Sequence, residues 1–296
     1  MLLQTFLDYL RYERNASPRT VEEYRDDLLA FESFFKGLES SLSWQTIDTD
    51  IAREWMVDMM ERGNKASSVQ RRLSALKSCY RFLYRRGLVK SDPVHNLSAP
   101  KKERILPAFI REEEMDNLLD REGMFDDTFE GRRDHLIIAM LYEAGLRLGE
   151  LIGLDMKDVN LSSQTLKVTG KGNKQRIVPF GEELLHLISI YIGERSLLSK
   201  QVALEEAFYV SRNGKRLKGH VVRCMVKAKL GLVTTQRKRS PHVLRHTFAT
   251  SMLNHHADLE SVKELLGHEK LSTTEIYTHT TFEELKKVYR EAHPRA

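Results

Sequence analysis

Cysteine is almost missing from this sequence: Cys79 and Cys224 are the only two in 296 residues. That excludes a disulfide framework and a cysteine-rich zinc module, and it suits a reducing cytoplasm. Both thiols are expected to be small buried residues, since neither belongs to a motif. Long hydrophobic runs are lacking too. The best candidate, Leu136 to Leu146, is interrupted by Glu143 and falls short of the ~18–20 apolar residues a membrane helix needs. The start, MLLQTFLDYLRYER, has no basic lead and carries Asp8, so no signal peptide is read there. GxxxxGK[ST] and HExxH are absent, which removes the usual signs of a phosphate loop or a zinc protease. No repeat or low-complexity tract is seen. Finally, the stretch 207–257 contains no Asp or Glu at all, although it holds 11 Lys and Arg.

Charge therefore comes in blocks. The formal net charge of +5 is too modest to imply a nucleic-acid partner by itself. Residues 1–64 hold seven basic and 13 acidic side chains, whereas residues 65–104 hold 11 basic and two acidic. Long stretches of one sign suggest a polyanion, and DNA or RNA is the commonest. The alternative is neutralisation by acids elsewhere, such as REEEMDNLLDREGMFDD at 111–127. Hydrophobic residues at 41% and charged residues at 30% read as a soluble globular chain. At ~100–200 residues per domain, its length predicts two domains.

The first hundred residues read as helical. Ser17-Pro18 opens a helix, with serine as the N-cap and proline in the first turn. Val21, Tyr24, Leu28, Phe31 and Phe35 then mark its buried face. A second helix is predicted from Ser67 to Arg86, stopped by Gly87. Its apolar stripe is Val69, Leu73, Leu76, Tyr80 and Leu83. Arg71, Lys77, Arg81 and Arg85 fall on the other side with no acid three or four positions away, as on a helix laid along phosphates. The segment 91–107, with three prolines and Lys101, Lys102 and Arg104, reads as a linker. Beyond it the pattern is mostly helical, with strand-like runs at 164–169 and 174–180 joined by a GKGN turn at 170–173.

Four motifs carry candidate chemistry. AGLRLGELIGLDMKDV at 144–159 contains Arg147 and Glu150. The hairpin tip carries Lys171. In SPHVLRHTFAT at 240–250, Ser240-Pro241 opens a helix and places His242 and Arg245 on one face. In LLGHEKLSTTEIYTH, a helix is predicted to end at Gly267, just before His268. Ser272 and Glu275 have capping-box spacing and would start a short helix carrying Tyr277. The adjacent His255 and His256 are the one tempting metal pair. They point in different directions on a helix and have no third ligand, so no metal site is expected.

Taken in order, Arg147, Lys171, His242-x-x-Arg245, His268 and Tyr277 resemble the signature of the tyrosine recombinases, the phage integrase family. The resemblance covers nearly the whole chain and is closest to the Xer-type site-specific recombinases. SPRTVEEYRDDLLAFESFF resembles the start of their core-binding domain. HVLRHTFATSMLN, ADLESVKELLGH and STTEIYTHT resemble their catalytic core, and EELKKVYREAHPRA their tail. Departures are minor: GLRLGEL has Gly149 where Xer proteins often have serine, and Asn254-His255-His256 replaces a polar turn.

The resemblance implies a mainly α fold. A helical, SAM-like core-binding domain at 1–90 and a linker at 91–107 precede an α+β catalytic domain at 108–296 with a small β-hairpin or sheet and a C-terminal docking tail. It implies a clamp around double-stranded DNA and a homo- or heterotetramer, with a possible sister recombinase and a DNA translocase as activator. Tyr277 would be the nucleophile, Arg147 and Arg245 the phosphate grip, His242 the acid–base partner and His268 a further donor. Lys171 would be the general acid, with Glu150 in support. Arg71, Lys77, Arg81, Arg85, Lys101 and Lys102 would meet DNA. Neither metal, ATP nor another cofactor is required. Resolution of chromosome dimers is the expected role, because the chain starts almost at once on the core-binding pattern. An integrase of a mobile element, a type IB topoisomerase and a catalytically inactive DNA-binding protein are the alternatives. Truncation after Glu283 is expected to spare DNA binding and abolish recombination.

Overall fold

The computed structural model describes residues 2–101, 108–199, 205–267 and 282–295. The chain divides into two compact units at positions 105 and 106.

The described residues of the first unit form four α-helices: α1 (Leu2–Asp8, continued by a π-helical turn Tyr9–Glu13), α2 (Pro18–Leu38), α3 (Thr49–Glu61) and α4 (Ala66–Arg85). The Ser17 hydroxyl accepts the Thr20 N–H at 3.1 Å, the cap that Ser17-Pro18 predicted. Helix α4 ends at Arg85 and is capped by Arg86, and Gly87 just beyond it takes φ +66°, which suits glycine. The two apolar stripes read from sequence meet here, around Phe31, Phe35, Trp44, Trp55 and Tyr80. Within the segment read as linker, Val94 and Leu97 join this core.

The basic face of α4 differs from its reading as unbalanced. Arg71 pairs with the buried carboxylate of Asp27, 44 positions back on α2, and Arg72 Nε lies 3.6 Å from the same group. Lys77 Nζ donates to the carbonyls of Leu97 (2.6 Å) and His95 (3.2 Å), so it clips residues 95–97 to the helix. Local spacing could not show partners that distant in sequence. Arg81, Arg85 and Lys101 are exposed and form no ion pair with a described residue.

The second unit holds α5 (Glu112–Leu119), α6 (Phe129–Glu143), α7 (Leu148–Gly153), α8 (Glu182–Ser199), α9 (Gly219–Val233), α10 (Pro241–Asn254), α11 (Leu259–Leu266) and α12 (Phe282–Ala292). A three-stranded antiparallel sheet joins β1 (Val159–Asn160), β2 (Thr165–Thr169) and β3 (Gln175–Pro179) in that order. The two-residue β1 is too short to show a period in sequence. Leu166, Val168 and Val178 turn inward, and α6 is buried almost all round, which explains its near-continuous apolar run. A second cluster joins Phe248 and Met252 of α10 to Val262 and Leu265 of α11 and to Leu285 and Tyr289 of α12. The last helix thus docks on its own chain.

The helix read as opening at Ser240-Pro241 starts at Pro241 with Ser240 as its N-cap, without a hydrogen bond from that side chain. One local expectation needs correction. Cys79 is buried, but Cys224 is exposed. On α9 the inward stripe is Val222, Val226 and Leu230, and position 224 lies off it.

Candidate active site

The site begins at the end of α6. Gly145 takes φ +59°, and a Cβ there would sit 2.5 Å from the Phe248 ring, so only glycine makes this turn. The turn delivers Arg147 to the N-cap of α7. Glu150, one turn on, folds back to accept the Arg147 backbone N–H (2.9 Å) and Arg147 Nη1 (2.8 Å). This satisfies one of the free N–H groups at a helix start. The Glu150 side chain is 3% exposed and that of Arg147 42% exposed, so the arginine retains access to an outside ligand.

Arg245 reaches the same carboxylate from α10, with Nη1 3.8 Å from Glu150 Oε2 and a side chain only 6% exposed. It also donates to the carbonyls of Gly145 and Leu266. His242 lies one turn before it and is exposed. Burial, followed by repulsion from Arg147, brings the Arg245 guanidinium down to about 10, so it stays a cation at neutral pH. Burial also works against the Glu150 carboxylate. The hydrogen bonds and charge of Arg176, with the Arg147 donors, outweigh that and hold Glu150 down at about 2.

Helix α11 supplies the opposite wall. Gly267 ends it with φ +63°, the left-handed cap expected there. Its last carbonyls face the arginines: Leu266 accepts Arg147 Nη1 at 3.3 Å, and Gly267 accepts Arg147 Nη2 at 3.2 Å. The negative end of a helix suits such cations.

Arg176 on β3 was missed by the sequence reading. Both of its Nη atoms bind Glu150 at 2.9 Å, and its Nε donates to the Leu265 carbonyl at 2.9 Å. A signal was available: Arg176 shares a strand face with the inward Val178 two positions on, and an inward cation on a strand needs an acid.

Of the residues singled out by sequence, the structure brings Arg147, Glu150 and Arg245 together, with His242 one turn away. It places Lys171 in the turn between β2 and β3, where the Gly170 N–H donates to the Lys174 carbonyl at 2.8 Å. Arg71, Lys77, Arg81, Arg85 and Lys101 belong to the first unit. Lys102, His268, Tyr277 and the predicted short helix from Ser272 lie outside the described residues. His255 contacts Glu112 at 3.1 Å, and among the described residues no group of three or more His, Cys, Asp or Glu could hold a metal ion.

The block at 207–257 is partly neutralised. Arg212 pairs with Glu130, Arg216 with Asp155 and Arg245 with Glu150. Lys215, Lys218, Arg223, Lys227, Arg237 and Lys238 remain exposed and make no ion pair with a described residue.

Residues 108–284 match the phage integrase family, and residues 3–87 match its N-terminal SAM-like domain. The chain belongs to the phage integrase family. It is 39% identical over 302 residues to the tyrosine recombinase XerC of Pelotomaculum thermopropionicum, covering 99% of this chain and 98% of that one. It is 38% identical to the tyrosine recombinase XerC of Pseudomonas savastanoi pv. phaseolicola, covering 99% and 96%. Its fold is similar to the XerH site-specific recombinase bound to a palindromic difH substrate, with a TM-score of 0.72 at 23% identity over 96% of this chain and 83% of that one. It also resembles the Tn1549 transposon integrase in complex with transposon right end DNA, at 0.71 and 17% identity over 97% of each chain. As a phage integrase family member of the tyrosine recombinase type, the chain is an enzyme of site-specific recombination that works by DNA strand transesterification.

Proposed function

We propose that the chain resolves chromosome dimers at a replication-terminus site, so that chromosomes separate at cell division, and that it acts in the cytoplasm. The full-length similarity to proteins named XerC supports this role. The observation that carries the chemistry is the meeting of Arg147 and Arg245 on Glu150, which gathers two planar donor forks beside one well-ionised acid. Such forks match two phosphate oxygens.

In this reading the Tyr277 oxygen attacks the scissile phosphorus. A tyrosine ionises near pH ~10, so a base is required, and His242 takes that proton. Arg147, Arg245 and His268 neutralise the non-bridging oxygens, where each preorganised donor is worth ~2.7–4 kcal/mol. The bond to the 5′ oxygen breaks, and Lys171 gives that oxygen a proton. The product is a 3′-phosphotyrosine and a free 5′ hydroxyl. A 5′ hydroxyl from a second duplex then attacks the phosphotyrosine and releases the enzyme. Glu150 orients the arginines.

Residues 1–90 would bind one side of the duplex, with Arg81, Arg85 and Lys101 on phosphates and Lys102 following them. Arg71 and Lys77, already engaged, would shape that face. The segment 91–107 would link it to the catalytic domain at 108–296. Four protomers, alone or with a sister recombinase, would join two sites, and a DNA translocase could activate them.

Covalent trapping tests this. Wild type and Tyr277→Phe are incubated with a nicked duplex bearing a Xer-like site, in chelator, and run on a denaturing gel. A DNA-linked band in wild type that is lost in the mutant is the expected result. An equal band in both would sink the assignment of Tyr277.

A further inference from the structure

Arg176 holds three segments that are far apart in sequence. Its Nη atoms grip both oxygens of Glu150 on α7, its Nε reaches the last turn of α11, and its own backbone belongs to β3. The side chain is 16% exposed, so these contacts are made largely out of water. The backbone is fitted around it. A Cβ on Gly267 would stand 3.2 Å from Arg176 Cδ, and a Cβ on Gly170 would stand 3.4 Å from Glu150 Oε1.

The position of Arg176 along the hairpin matters. It pairs with Val168, and only the pair Thr169–Gln175 separates it from the tip that begins at Gly170. A two-stranded tip would otherwise swing about its base. Arg176 fixes it two residues after the Lys174 end of the turn, opposite Val168. The carboxylate that anchors it also holds Arg147, so the hairpin and the phosphate grip share one reference point.

We infer that Arg176 is a positioning residue for the strand-cleavage step: by tying β3 to Glu150 and to the end of α11, it sets where the hairpin tip presents Lys171 to the leaving 5′ oxygen. This rests on the reading of Lys171 as general acid. In that step the Tyr277 oxygen bonds to phosphorus, the bond from phosphorus to the 5′ oxygen breaks with its electron pair going to oxygen, and that oxygen takes a proton from the Lys171 ammonium. A charge-only role for Arg176, neutralising Glu150, would instead weaken the grip on the non-bridging oxygens.

The two roles separate on a substrate whose bridging 5′ oxygen is replaced by sulfur. A thiol ionises near ~8.5, so a thiolate leaves without a proton and the general acid becomes dispensable. The full-length chain is given nicked duplexes with either bridging atom, using the site cleaved in covalent trapping. General acids contribute ~10²–10⁴-fold, so Arg176→Ala and Arg176→Lys should cleave the oxygen substrate at least ~10²-fold more slowly than wild type, and should come within ~10-fold of it on sulfur. Lysine keeps the charge but lacks the fork, so it tests geometry, and it carries the experiment if the alanine variant fails to fold. Lys171→Ala is the control and should show the same rescue. If Lys171→Ala is not rescued, the general-acid reading fails and takes this inference with it. If Lys171→Ala is rescued while the Arg176 variants stay slow on both substrates, only the inference about Arg176 is overturned. Wild-type rates in the Arg176 variants on oxygen would overturn it as well.

Discussion

Glu150 shows how much one buried acid can organise. It accepts from Arg147 and Arg176 and lies beside Arg245, with a side chain hidden from water. Removing one partner from a buried ionic set costs ~3–5 kcal/mol, because the remaining charges are left unpaired. Glu150→Gln should therefore lower stability by that order in urea melts. Its pH dependence has a definite sign. The folded value of about 2 lies below the usual 4.5, so the stabilisation is complete above 4.5 and is lost as pH falls towards 2. The gap between wild type and Glu150→Gln should thus narrow across that window. A gap that stays constant would show that Glu150 is not held ionised. Glu150, Arg147 and Arg245 were legible from motif and spacing. For Arg176 the strand pattern gave the only hint and could not name its partner, since its acid lies 26 positions away on another element. Asp27 was hidden from Arg71 for the same reason.

Among elements, α12 has the most to lose. Leu285, Tyr289 and Ala292 are buried against α10 and α11, and Arg295 just beyond them reaches Asp120 (2.8 Å), Glu143 (3.4 Å) and Glu183. Truncation after Glu283 would strip this apolar cover, so lost recombination would reflect instability as readily as lost docking on a neighbour. Single changes discriminate better. Tyr289→Ala should cost ~3–5 kcal/mol in thermal or urea melts, as for other large buried rings. His293 lies among Tyr142, Phe248 and Tyr289, and burial pushes its imidazole down to about 3. A ring kept neutral in the fold stabilises fully above 6.5 and loses this as pH falls towards 3. His293→Phe keeps a ring and should flatten the loss of stability between pH 6 and 4. An unchanged slope would assign the acid sensitivity elsewhere. Caps made a few element ends readable, as at Ser17 and Gly267. The docking of α12 was not readable, because an amphipathic helix does not name its partner.

For the whole molecule, the blocks of charge matter most. Six exposed cations between 215 and 238 and three at Arg81, Arg85 and Lys101 make no described ion pair. Counterion release from 6–10 phosphate contacts lowers affinity ~10³–10⁵-fold between 50 and 200 mM salt. DNA binding measured by fluorescence anisotropy should fall on that scale, and Lys218→Ala with Arg237→Ala should each flatten the log–log slope by ~0.9. A slope unchanged by both would remove that face from the footprint. The sequence showed the blocks but not which cations were already paired. One consequence concerns time. Arg147 meets the Gly267 carbonyl 120 positions downstream. At ~5–20 residues per second, a ribosome needs roughly 6–24 s to travel between them. During synthesis the first arginine of the site therefore waits without its opposite wall, and a half-made chain emerging beside DNA lacks the assembled site needed to cut it.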